Sequence, residues 1–149
     1  MMVDAEPGTG RKPYLRLNLT LSFSEVSRAR AGVARALQAL GHPDLVSDAM
    51  VISSELVTNA VTAQTQGRVI FAVWGNRGRP LVEVWDTAIW TAPRLDPPPI
   101  EALMDMDESD LGGWGLANVQ TLAAHWGHRL AEFPGEPGVI RKCVWALLK

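Results

Sequence analysis

The sequence predicts an α+β fold: a two-layer sandwich whose mostly antiparallel sheet carries helices on one face. Three observations lead there. Residues 15–21 alternate leucine with polar side chains, the period-two signature of a half-buried strand. Two later stretches repeat apolar residues at helical spacing, so strand and helix patterns coexist in one short chain. The remaining strand-like runs come as two pairs, each joined by a Gly- and Pro-bearing turn, as hairpins are.

The elements follow in order. Leu15, Leu17, Leu19 and Leu21 form the buried side of the first strand. Ser22 or Ser24 caps a helix whose inward members are Val26, Ala29, Val33, Ala36, Leu37 and Leu40, and Gly41 closes it. Asp44, after Pro43, is the expected N-cap of a second, longer helix. Leu45, Ala49, Ile52, Leu56 and Ala60 interleave there with Val46, Met50, Ser53, Val57 and Val61 and cover more than half of the circumference, which predicts extensive burial. Residues 69–74 and 81–85 read as strands joined by the turn 75–80. A third helix is expected from Leu116 to about Trp126, with Gly127 as its C′ residue, before final strands at 128–131 and 139–148.

Residues 87–112 break this rhythm. They hold Pro93, Pro97, Pro98 and Pro99, and six acidic residues against Arg94 alone. A connection of that length in a compact domain is a lid, a binding loop or disordered. A short helix at 100–106 fits inside it.

Composition bounds the function. The 149 residues make one domain, 13–149, after a polar, Gly- and Pro-bearing tail at 1–12 that lacks the apolar core of a signal peptide. Fourteen basic residues against sixteen acidic ones argue against a nucleic-acid binder that works by neutralising phosphates. No apolar run approaches the roughly 18 residues of a membrane span. The single cysteine, Cys143, rules out an internal disulfide framework and a cysteine-built zinc site. A reduced, cytoplasmic protein is expected.

Few residues could carry chemistry. Glu55 and Asn59 lie four apart on the second helix, about 40° apart around its axis and roughly 6 Å along it. A carboxylate beside a carboxamide oxygen suits a hydrated Mg²⁺, and the carboxylate could accept a proton from an attacking hydroxyl. The solvated face of an amphipathic helix is the plain alternative. Asp86 ends a core-like strand, where an acid accepts hydrogen bonds from an exocyclic amine or caps a turn. Gly112-Gly113-Trp114-Gly115 precedes a helix, so its backbone could approach phosphate at the helix N-terminus or serve as a loop hinge. His125 and His128 lack a third ligand nearby. Arg28, Arg30 and Arg35 on the first helix are candidates for a partner surface, or solvated arginines.

Taken together these segments resemble a known family. The run from Ser53 to Val61, Ser-Ser-Glu-Leu-Val-Thr-Asn-Ala-Val, resembles the N-box of the GHKL ATPases, and more narrowly that of the small anti-sigma-factor serine/threonine kinases and their actinobacterial relatives. Asp86 stands where the family has its adenine-binding aspartate. Gly112-Gly113-Trp114-Gly115-Leu116 is similar to the later glycine box, and 122–127 and 143–147 match the usual ending. The resemblance spans about residues 14–149. It implies the Bergerat ATP-binding fold, with Mg²⁺ and ATP held under a mobile lid at 87–112. Asn59 would be the magnesium ligand, and Asp86, Gly112, Gly113, Gly115 and Leu116 would join it around the nucleotide. Glu55 would be the general base for transfer of the γ-phosphoryl group to a serine of an anti-anti-sigma partner of the STAS type. Relatives also bind a sigma factor and often form homodimers.

Three departures accompany the resemblance. The family's Asp-x-Gly-x-Gly box reads Asp86-Thr87-Ala88-Ile89-Trp90, without either glycine. The N-box continues with Thr62-Ala63 instead of a basic residue and histidine. The lid is acidic. They define the alternative: a non-catalytic interaction module on the same fold, with weak or no nucleotide binding.

Overall fold

The computed structural model describes residues 12–63, 67–75, 78–87 and 115–149. The expected tail up to residue 11, most of the expected lid with its short helix, Ala88, Trp90, Gly112 and Gly113 lie outside the described residues.

The described elements run β1 (Leu15–Leu19), α1 (Ser24–Ala39), a 3-10 turn (Pro43–Leu45), α2 (Val46–Ala63), β2 (Val69–Trp74), β3 (Leu81–Asp86), α3 (Gly115–Leu122), β4 (His125–Glu132) and β5 (Ile140–Leu147). The strands pair antiparallel in the order β1-β2-β3-β5-β4, which leaves β1 and β4 at the edges. This is the predicted α+β architecture. The main core lies between sheet and helices. Ala29, Val33 and Leu37 of α1 and Ile52, Leu56 and Val57 of α2 meet Phe71, Val73, Val82 and Val84 of the sheet there. Full burial of each larger aliphatic side chain contributes about 1.5–3 kcal/mol, which is why α2, apolar over most of its surface, sits against both α1 and the sheet.

Local chemistry sets the boundaries. Gly41, at φ +87°, ends α1: its N–H donates to the Gln38 carbonyl at 3.2 Å and that of His42 to the Leu37 carbonyl at 2.8 Å. These are the two bonds of a Schellman cap. The N-terminal cap differs from expectation. Phe23, not a serine, occupies the N-cap position, while the Ser22 hydroxyl accepts from the Ser24 N–H at 3.3 Å. Asp44 lies inside the 3-10 turn instead of capping α2, because Pro43 starts that turn two residues early. β1 stops at Leu19, and Leu21 packs on the core from the bend that follows.

The largest correction falls at the end of α3. The helix closes at Leu122, and His125, Trp126, Gly127 and His128 belong to β4. The Ala123 N–H still donates back to Val119 at 2.9 Å, but that of Ala124 already donates across to Leu147 at 2.8 Å. Eight residues of β4 then pair with β5, more than a further helical turn could satisfy. Trp126 does pack on the main core, from a strand. Gly127 is no C′ residue: a Cβ there would lie 2.9 Å from Cζ2 of Trp145, so the missing side chain makes room for the indole.

Among the described residues no helix covers the other face of the sheet, and this helix-free face is apolar too. Ile70, Ala72, Trp74, Leu81, Trp85, Cys143 and Leu147 form a second cluster with Phe133, which leaves the end of β4 to meet Trp85 edge-on at 5.2 Å between centroids.

Candidate functional site

The site residues sit on three elements that touch. α2 packs against both β3 and α3. On α2, Ala49, Ile52, Ser53, Leu56, Val57, Ala60 and Val61 are buried, and Glu55 and Asn59 lie half-buried beside that face. The helix therefore holds a carboxylate and a carboxamide one turn apart at the border between core and solvent, where each is shielded but reachable. Of the neighbouring hydroxyls, Ser54 donates to the Met50 carbonyl at 2.8 Å, while Ser53 Oγ is buried without a hydrogen-bond partner among the described residues.

Strand alternation aims Asp86. Val82 and Val84 belong to the core under the helices, so Asp86, two residues on, turns to the same face at the end of β3. It is buried. Lys142 stands directly opposite on β5, and its Nζ lies 3.4 Å from Oδ1 of Asp86. Residue order alone hides this pair, since only the β3–β5 register brings the two together. A buried carboxylate is a strong hydrogen-bond acceptor, with about four lone-pair positions.

α3 begins at Gly115, with Leu116 buried against the core and no acidic residue in its first turn. The N–H groups of that turn have no partner within the helix, and with the helix dipole they favour an anion. Gly112 and Gly113, also expected at this site, lie outside the described residues. The donor set present fits a magnesium nucleotide. Around such a ligand Asn59 would offer a hard oxygen, with the Glu55 carboxylate beside it, the start of α3 would offer N–H donors, and Asp86 a buried acceptor for an amine.

The arginines of α1 are less concentrated than their spacing in sequence suggests. Arg28 and Arg35 share a stripe, while Arg30 lies about 160° around the helix. All three are exposed, and Arg28 is tied locally, to Glu25 at 3.3 Å and the Asn18 carbonyl at 3.1 Å. His125 and His128, three apart on β4, point to opposite faces of the sheet.

Besides Lys142, sequence reasoning missed a second buried polar group. Glu83 is fully buried on the helix-free face. It accepts from Nε1 of Trp74 at 2.6 Å, Nε1 of Trp85 at 3.0 Å and the Arg129 guanidinium at 2.9 Å. Burial pushes its carboxyl above the usual range, against the pull of Arg129 and the two indoles. The signal was a lone acid inside an apolar strand, Leu-Val-Glu-Val-Trp.

The chain matches the family described as the histidine kinase-like ATPase domain over residues 19–133. No curated protein matches it.

Proposed function

We propose, from the premise that this chain belongs to the histidine kinase-like ATPase domain family, that it is an ATP-binding regulator of the anti-sigma-factor type with serine/threonine kinase activity. What supports this reading most is the placement of Asp86. Its buried carboxylate ends the strand that packs under the helix carrying Glu55 and Asn59. When bound, magnesium would neutralise charge on the phosphates of ATP. The chain's own residues do the rest. Asp86 accepts from the adenine amine, held in place by Lys142. Asn59 would offer its carboxamide oxygen to the metal, and the N–H groups of the helix that Gly115 and Leu116 open, next to Gly112 and Gly113 in the sequence, would bind the phosphates. Glu55 takes the proton from the serine hydroxyl of a partner protein. The serine oxygen then bonds to the γ-phosphorus as the bridging P–O bond breaks and ADP leaves.

The partners on this reading are an anti-anti-sigma protein of the STAS type, as phosphoryl acceptor, and a sigma factor. The stripe of Arg28 and Arg35 is offered to an acidic patch, and the edge strand β1 to a second copy of the chain. Calorimetry with Mg²⁺ and ATP should give saturable binding. Asp86→Asn should weaken it about tenfold or more, the worth of a charge-assisted hydrogen bond. Glu55→Ala should keep nucleotide affinity and lose phosphoryl transfer by about 10²-fold or more. Unchanged phosphorylation by that variant removes Glu55 as the base.

A second reading is a non-catalytic interaction module. Two observations favour it: the Lys142 ammonium already engages Asp86, and the sequence at 87–112 carries six acidic residues against one arginine. No heat with Mg²⁺ and ATP, together with tight partner binding, decides for it.

A further inference from the structure

The helix-free face carries a second concentration of charge. Arg16, Asn18, Arg68, Ile70, Glu136 and Arg141 line a cleft of about 290 Å³ where β1 ends and β2 begins. Alternation builds it. Arg16 and Asn18 are the outward members of β1, whose leucines face the main core. Arg141 precedes Lys142 on β5, so one residue reaches this cleft while its neighbour reaches Asp86 through the other face. The cleft and the nucleotide residues therefore lie on opposite sides of one sheet.

Among the described residues its walls hold three guanidinium groups and one carboxylate, in a chain whose net charge is −2. The carboxylate is shared. Arg16 donates to Oε2 of Glu136 and Arg141 to Oε1 at 3.3 Å. One negative charge thus fixes two guanidinium planes without neutralising both, and the pairing holds Glu136 below the usual carboxylate range. Arg16 is fixed further by Asn18, whose Oδ1 accepts from its Nε at 3.2 Å. Arg141 Nε is buried and has no hydrogen-bond partner among the described residues. Burial of this end of the guanidinium fixes its plane, so the arginine fork is preordered.

We propose that this cleft binds a phosphoryl dianion, either inorganic phosphate or the phosphate of a small monoester. Arginine forks match phosphate oxygens in pairs, and two of them converge here. The volume lies at the small end of ligand sites, and Ile70 is the one apolar residue among the described lining residues, so the cleft suits a compact anion and not a nucleobase. Arg16 also lies over the Phe133 ring at 4.6 Å, and Phe133 meets Trp85, which gives binding a fluorescent reporter.

The test is calorimetry of the full chain with inorganic phosphate, then with glycerol 3-phosphate, at constant ionic strength with chloride as the balancing anion. Tryptophan emission is followed in parallel. Saturable one-to-one binding is expected, and tighter binding of one ligand identifies which form the cleft serves. Arg141→Gln should weaken binding about tenfold or more. Asn18→Asp, which adds a second carboxylate at an exposed position, should do the same and guards against a folding defect in the first variant. Asn59→Ala should leave phosphate affinity unchanged. Wild-type affinity in both cleft variants overturns the proposal. So does loss of binding in Asn59→Ala, which would place the phosphate at α2. A weak response shared equally by phosphate, sulfate and chloride means an adventitious ion only and overturns it as well.

Discussion

Two glutamates show how surroundings decide what a carboxyl does for stability. Glu83 sits in the apolar face of the sheet with three donors converging on it, and burial raises its pKa from the ordinary 4.5. A raised folded-state value means that the native state binds the proton more readily than the unfolded chain. Its contribution is present below the unfolded value and is lost as pH rises through the folded one. Glu136 is the reverse case. The Arg16 hydrogen bond, followed by the charges of Arg16 and Arg141, lowers its pKa, so its contribution is present above the unfolded value and is lost as pH falls through the folded one. Melting temperatures between about pH 3 and pH 7 should separate the two: Glu136→Gln reduces the loss on the acid side, and Glu83→Gln removes the gain on mild acidification. At neutral pH Glu83→Gln should also cost about 3 kcal/mol, because one carboxamide oxygen cannot serve Arg129 and both indoles. Arg129 is 22% exposed, which puts the expectation at the low end for a broken buried pair. A loss below about 1 kcal/mol by denaturant unfolding would show that the ion pair is dispensable.

Elements were legible in the sequence where one physical signal dominated. The leucine alternation of β1 and the apolar periodicity of α1 and α2 come from burying one face, and the structure places those faces inward. Gly41 was readable as a stop for the same reason: few residues other than glycine adopt φ +87° cheaply. Gly41→Ala should therefore destabilise the protein by about 1 kcal/mol with no change in fold, measured by chemical denaturation. The α3–β4 boundary was not readable. Leu116, Val119, Leu122 and Trp126 keep helical spacing across the break, and what ends the helix is pairing with β5, a strand that lies later in the chain. The candidate site divides in the same way. Glu55, Asn59 and Asp86 could be singled out because each sits within a local motif. Lys142 could not, since only sheet register sets it opposite Asp86.

For the whole molecule, the decisive feature is a sheet buried on both sides. β2 and β3 are buried at every residue, so helices on one face cannot account for them, and the second cluster around Trp74, Trp85 and Phe133 closes the other. A chain of this size buries roughly 70% of its unfolded surface, and stability then depends on both layers staying shut. Cys143 reports on the outer one. Its thiol is wholly buried in that cluster, and burial, reinforced by Glu83, pushes it well above the usual thiol range. A thiolate forms there only when the face opens. Reaction with a thiol reagent such as dithionitrobenzoate should accordingly be slow in the native protein. Its rate at increasing urea should rise with the slope of global unfolding, because no smaller opening frees the thiol. Fast labelling without denaturant would mean that the helix-free face opens on its own while the helix-covered core stays closed. The cleft of Arg16 and Arg141, which leans on Phe133 at the margin of that face, would then belong to the less stable layer.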